Sequence, residues 1–135
     1  MNSRAYRSAL VVAAGAVAAM ATWSIARLAG VDFELKDSAS IDEVAAFDVL
    51  FTTLIAGAAA WAVHEFLVSK QKQRWWPPIG STALALSIAG PSWLADGETA
   101  VVLIAMHVVV GFVLIGGLGV FAARGQVCDP RQMPR

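Results

Sequence analysis

The charged residues of this chain lie in a few short zones, separated by long apolar stretches. Only 15% of the 135 residues are charged, and 58% are hydrophobic. A typical soluble domain has about 25% charged residues. A chain this short cannot bury so much apolar surface in one core. Crossing a hydrocarbon core takes about 20 helical residues, which is roughly the length of the apolar stretches. We therefore expect them to span a membrane.

The apolar stretches predict an all-α fold, a four-helix transmembrane bundle with up-down-up-down topology in a single domain over residues 1–135. Helices satisfy their own backbone hydrogen bonds in lipid, and barrel strands would alternate apolar and polar residues. The triplet Ala19-Met20-Ala21 resembles a signal-peptide cleavage site, but the apolar run continues past it, so we expect a retained helix. The predicted helices span about residues 8–28, 44–69, 76–94 and 99–122.

The distribution of charge predicts the orientation of the helices, although the net charge is zero. Basic residues precede the first span, separate the second from the third, and follow the fourth. Acidic residues dominate the other two loops. The positive-inside rule then predicts that both termini are cytoplasmic. The basic residues of these three zones are Arg4, Arg7, Lys70, Lys72, Arg74, Arg124, Arg131 and Arg135, and the acidic residues of the other two loops are Asp32, Glu34, Asp37, Asp42, Glu43, Asp96 and Glu98, beside one Lys36.

Local signals predict how the helices begin, end and meet. Ser40 and Glu43 fit a capping box ahead of the second helix. Pro91 should kink or end the third helix, because it cannot donate a backbone hydrogen bond. The connections at 70–75 and 95–98 are short, so we expect helices 2–3 and 3–4 to be antiparallel neighbours.

Two further patterns leave alternatives open. In the first helix Ala14 and Ala18, and likewise Gly15 and Ala19, are spaced by four, as in closely packed membrane helices, but small residues are common in such helices anyway. The stretch "VDFELK", residues 31–36, alternates like a strand; we expect an extended segment resting on the bundle rather than an edge awaiting another chain. Trp75 and Trp76 lie where an aromatic belt is expected.

Ionisable side chains within the predicted spans are candidates for function, because burying them in lipid costs free energy. They are Asp48, His64, Glu65 and His107. Counting depth at about 1.5 Å per residue puts His107 level with hydroxyl groups on the other three helices. Asp48 lies one turn above Thr52 on the same helix face. The sequence therefore predicts a polar layer of Thr22, Thr52, Thr53, Ser87 and His107, with Asp48 above it.

His107 allows three interpretations. We favour a neutral imidazole that forms a hydrogen bond to a neighbouring helix, through a threonine, a serine or the carbonyl freed by Pro91. The second is proton or ligand binding together with Asp48. The third is haem or metal ligation, which the different depth of His64 disfavours.

No catalytic motif is evident, and Cys128 is the one cysteine, so no internal disulfide can form. The chain lacks a nucleophile elbow, a zinc-binding H-E-x-x-H and a phosphate-binding glycine loop. We expect a protein that is not an enzyme, has no cofactor or metal, and binds no nucleic acid.

The segment "LSIAGPSW", the short acidic turn after it and "AVVLIAMHVVVGFVLIGGL" together resemble a family of short actinobacterial four-helix membrane proteins, known as a domain of unknown function. The "VDFELK" loop is similar to a segment typical of that family. The resemblance covers about residues 8–122, and its most specific parts are Gly90-Pro91 and Met106-His107. It implies four helices and a bacterial inner-membrane location, and it implies no activity. Small multidrug transporters and vitamin K epoxide reductase-like enzymes fit less well, since the first helix has no glutamate and the cysteine is single.

Two functional hypotheses follow. The first is an accessory or scaffolding component of a larger membrane assembly or a homo-oligomer, because the chain has little outside its helices. The second is a small transporter or lipophilic-ligand-binding protein that uses the polar layer around His107. The second hypothesis predicts a cavity that reaches His107 from the outer side of the membrane.

Overall fold

A computed structural model describes residues 3–31, 45–95 and 97–126 of the chain. It contains four α-helices, and 92% of the described residues are helical, with no strand among them. A short 3₁₀ turn, Gln73–Trp75, joins the second helix to the third. The predicted four-helix fold is confirmed. The helices are α1 (Ser3–Leu28), α2 (Ala46–Ser69), α3 (Trp76–Leu94) and α4 (Gly97–Gln126).

The helix ends differ in part from the predictions. Pro91 lies inside α3, and the helix continues past it to Leu94, so the proline does not end it. The proline removes only the backbone donor that would bond to the Ser87 carbonyl, and the last turn is still closed by the Ala95 N–H, which donates to the Pro91 carbonyl at 3.1 Å. At the start of α2 the Asp48 carboxylate accepts the Ala45 N–H at 3.2 Å. The predicted capping box at Ser40 and the alternating segment after Val31 lie outside the described residues.

Three of the helices are long and apolar enough to cross a membrane, each over 24 residues: Ala5–Leu28, Ala46–Ser69 and Gly97–Val120. The third helix, α3, is shorter and less apolar than the other three. Its 19 residues span about 28 Å at 1.5 Å per residue, close to the thickness of a hydrocarbon core. The prediction of four spans is therefore supported most strongly for α1, α2 and α4.

The helix order in the bundle is α2, α1, α4, α3. Helix α4 packs along α1 on one side and along α3 on the other, and α1 also packs along α2. In contrast, α2 and α3 scarcely touch, which corrects the prediction that helices 2 and 3 are packed neighbours. A short connection holds only the joined ends together. Here the 3₁₀ turn and the buried Trp76 side chain lie between those ends, and α2 packs on α1 instead.

Glycines set the close approach of α4 to both of its neighbours. At the α1–α4 interface, a Cβ on Gly117 would lie 2.7 Å from Val11 Cγ1, and one on Gly15 would lie 3.6 Å from Leu114 Cδ2. Each helix thus contributes one glycine and receives a branched side chain from the other. The predicted close packing around Gly15 and Ala19 is present, since Ala19 is fully buried.

The α3–α4 interface repeats this reciprocal pattern. A Cβ on Gly80 would lie 2.9 Å from Ile115 Cγ1, and one on Gly111 would lie 2.6 Å from Leu84 Cδ1. Both glycines are four residues from the branched residue on their own helix, so the two contacts are one turn apart. Close backbone approach through small residues is the usual way in which helices associate in lipid.

Candidate functional site: the groove between α2 and α3

Because α2 and α3 diverge, a groove of about 490 Å³ lies between them, with α4 as its floor. This volume lies within the range of about 300–1,000 Å³ typical of small-molecule sites. The walls are mainly small or apolar. The lining residues are Thr52, Thr53, Ala56, Ala59, Ala60 and Val63 of α2, Trp76, Ile79, Gly80, Ala83, Leu84 and Ser87 of α3, and Met106, His107, Val110, Gly111, Leu114 and Ile115 of α4.

Trp76 lies at one end of the groove, the end where α2 finishes and α3 begins; we call this the basic end, for the exposed Lys70, Lys72 and Arg74. The Trp76 indole N–H donates to the Ile115 carbonyl of α4 at 3.0 Å. Its ring meets the His64 ring of α2 edge-on, with centroids 5.1 Å apart. A single side chain thus joins three helices and bounds the groove.

The two adjacent tryptophans have different environments. Trp76 is only 4% exposed, whereas Trp75 is 50% exposed. The prediction of an aromatic belt therefore suits Trp75 and is wrong for Trp76, which is a core residue. A sequence pattern that places aromatic residues near an interface does not show which of two neighbours faces inward.

The structure brings four of the six residues of the predicted polar layer into the groove: Thr52, Thr53, Ser87 and His107. The other two lie elsewhere. Thr22 of α1 is half-buried outside the groove, with its hydroxyl donating to the Ala18 carbonyl at 2.9 Å. Asp48 is exposed in the first turn of α2, where it caps the helix.

Three polar side chains of the groove form hydrogen bonds within their own helices. His107 Nδ1 lies 2.7 Å from the Leu103 carbonyl oxygen, four residues back on α4. The Ser87 hydroxyl donates to Leu84 at 2.8 Å, and that of Thr52 donates to the Asp48 carbonyl. The favoured prediction, that His107 ties α4 to a neighbouring helix, is therefore wrong for the described residues. Serine and threonine in helices often satisfy themselves in this way.

His64 lies outside the groove, buried at the basic end against Trp76. Four residues spaced along α2 at intervals of three and four divide between the core and the groove: Gly57 and His64 are buried, and Thr53 and Ala60 line the groove. Within the described residues, no three His, Cys, Asp or Glu side chains come close enough to hold a metal ion.

Sequence reasoning missed the small residues that give the groove its width. Ala56 and Ala59 of α2 lie across from Gly80 and Ala83 of α3. A signal for them was available, because both helices carry small residues at spacings of three and four. The spacing alone does not show that these residues line a groove, since the same spacing also produces close helix contacts.

The fold and the groove define a class: a helical bundle with helices long enough to span a membrane and a cleft open between two of them. The chain belongs to a family of unknown function, DUF6069, whose pattern matches residues 1–124. The resemblance to a family of unknown function is thus confirmed, whereas its actinobacterial origin stays a prediction. No curated protein and no solved structure matches the chain.

Proposed function

We propose that this protein is a multi-pass protein of the bacterial cell (inner) membrane that binds a lipophilic molecule in the groove between α2 and α3 and catalyses no reaction. One observation carries the proposal: a groove of about 490 Å³ lies between α2 and α3, and His107 lines it. Its walls are apolar, with a few polar atoms that can orient a ligand. That combination is characteristic of small-molecule sites.

The outer surface of the bundle supports a membrane location. Large apolar side chains face outward on every helix, including Val17, Phe66, Leu86 and Phe112, each more than 60% exposed. Large apolar side chains exposed on all four helices suit a surface that faces lipid. The partner that this outer surface fits is the lipid bilayer.

Exposed basic residues support an orientation with both termini in the cytoplasm. Lys70, Lys72 and Arg74 cluster in the turn between α2 and α3. The test is cysteine labelling of intact cells, in a Cys128→Ser background, with a membrane-impermeant maleimide. We expect Glu98→Cys to react and Gln71→Cys to react only after lysis. The reverse pattern would show that the orientation is inverted.

Substitutions that fill the groove test ligand binding. Ala59 lines the groove, whereas Ala62 is exposed on the same helix outside it. We expect Ala59→Phe to abolish saturable binding of a C16 alkyl probe, 1-hexadecanol, counted by native mass spectrometry, and Ala62→Phe to leave it unchanged. Equal binding by the wild type and both variants would contradict the proposal.

A second function, as an accessory or scaffolding component or a homo-oligomer, is favoured by the exposure of α2. Only 11% of its most apolar window is buried, against 28% for α1 and 22% for α4. A helix with so much free surface can pack against another chain. Native mass measurement on protein extracted in mild detergent tests this idea, and a monomer with no co-purifying protein would exclude it.

A further inference from the structure

We infer that the groove selects a lipophile whose polar end is a hydroxyl group, such as a long-chain alcohol or alkyl phenol, and that this hydroxyl donates a hydrogen bond to His107 Nε2. The inference rests on the proposed function, that the groove binds a lipophilic molecule. It comes from the direction of each hydrogen bond that the groove residues already make.

The direction of the hydrogen bond at His107 follows from the chemistry of its partner. Nδ1 lies 2.7 Å from the Leu103 carbonyl oxygen, and a carbonyl can only accept. Nδ1 therefore carries the proton in this hydrogen bond. In a neutral imidazole the other nitrogen is then an acceptor. Nε2 has no hydrogen-bond partner among the described residues, and His107 lines the groove.

The neighbouring hydroxyl groups of Thr52 and Ser87 also use their protons in hydrogen bonds that they already make. Thr52 donates its proton to the Asp48 carbonyl, and Ser87 donates its proton to the Leu84 carbonyl. The oxygen of each then offers the groove only its lone pairs. Thr53 also lines the groove, and its hydroxyl, which bonds to no other described residue, can donate or accept. The polar atoms of the groove thus mostly accept.

This polarity discriminates between ligand classes. A ketone, ether, ester or phosphate oxygen would add acceptors to a site that has few donors. An ammonium group would bring donors and a charge, but none of the acidic residues that the structure describes lines the groove to balance the charge. A hydroxyl can donate to His107 Nε2 while its oxygen can still accept. An alcohol or phenol is therefore the complementary end group.

The experiment compares two isomeric probes of equal carbon number, 1-hexadecanol and methyl pentadecyl ether, of which only the alcohol carries a donor. Each is titrated into the detergent-solubilised protein, and native mass spectrometry gives the dissociation constants. One hydrogen bond contributes about 0.5–1.5 kcal/mol, so we expect the alcohol to bind about 2- to 13-fold more tightly. His107→Phe, which keeps a ring and removes the acceptor, should bring the ratio close to one and leave ether binding unchanged.

Two further variants keep the test decisive. His107→Gln retains an acceptor oxygen and should retain part of the preference for the alcohol. Thr82→Val removes a hydroxyl on α3 that lies outside the groove and should retain all of it. A preference that survives in His107→Phe would overturn the assignment of Nε2.

The remaining outcomes separate the inference from the proposed function. If both probes bind the wild type equally and Ala59→Phe abolishes both, the groove binds lipophiles but the inference is wrong. If neither probe binds saturably, or if Ala59→Phe changes nothing, the proposed function fails and the inference fails with it.

Discussion

The interfaces of α4 and the groove between α2 and α3 use the same small residues with opposite results. At the interfaces, each glycine faces a branched side chain of the other helix, as Gly117 faces Val11 and Gly111 faces Leu84. In the groove, the walls formed by α2 and α3 also carry small residues, such as Ala59 and Ala83. Small residues form a close contact where packing brings their helices together. Because α2 packs on α1 and α3 packs on α4, the small residues between α2 and α3 line a cavity instead.

The largest expected effect comes from removing Trp76, which bounds the groove at the basic end. Trp76→Ala deletes a buried ring and its hydrogen bond to Ile115, and large-to-small changes of this type cost about 3–5 kcal/mol of unfolding free energy. Unfolding by SDS in mixed micelles measures the loss. The change should also extend the groove, so that longer alkyl probes bind.

The adjacent tryptophan is the matched control. Trp75 is half exposed, so Trp75→Ala should change stability by well under 1 kcal/mol. Trp76→Phe keeps most of the ring and loses the N–H donor, for a cost of about 1 kcal/mol. Equal losses of stability in the Trp75→Ala and Trp76→Ala variants would contradict the view that Trp76, and not Trp75, joins the three helices.

The second prediction concerns the α1–α4 interface. In Gly117→Ala the new Cβ would lie 2.7 Å from Val11 Cγ1, and valine is stiff in a helix, so the helices must separate. Overpacking of this kind costs about 1–3 kcal/mol. Gly116→Ala, one residue away, meets nothing within 4 Å and should be neutral or stabilising by up to about 1 kcal/mol, the helix-propensity gain.

A double-mutant cycle makes this prediction specific. Val11→Ala opens the space that the new methyl group needs, so the Val11→Ala/Gly117→Ala pair should lose less stability than the two single changes added together. Additive losses in SDS unfolding would show that the two residues do not share one contact.

The sequence predicted the helices well, because their length and the charges between them depend on local composition. The end of α3 at Leu94 and the level shared by Thr52, Ser87 and His107 follow from counting residues along a helix. Counting residues gives the depth of a side chain in the membrane, but it does not give the direction in which the side chain points around the helix axis. Thr22 has the right depth but lies outside the groove.

The own-helix hydrogen bonds could have been predicted, since serine and threonine commonly bond to a carbonyl three or four residues back. The groove could not have been predicted from the sequence. Its existence depends on which helix faces with small residues meet, and α2 has small residues on the side facing α1 as well as on the side facing α3. Gly57, packed on Val12, and Ala59, in the groove, show the two outcomes within one turn of α2.

The smallest predicted effect tests whether the turn between α2 and α3 holds the groove open. Helices α1 and α2 end alike, each with a residue of positive φ followed by a hydrogen bond to a carbonyl five residues back: Gly30 (φ 83°) in α1 and Gln71 (φ 56°) in α2. Glycine suits this position, because it has no Cβ to clash. Gln71→Gly should therefore stabilise the protein by up to about 1 kcal/mol in SDS unfolding.

Gly30→Ala is the matched control for this change, and it should destabilise the protein by a similar amount, since alanine is strained at that φ. Hexadecanol binding should be the same in the wild type and the Gln71→Gly variant, because the packing of α2 on α1 and of α3 on α4, and not strain in the turn, holds α2 and α3 apart. Weaker binding in the relaxed variant would locate the cause of the groove in the turn.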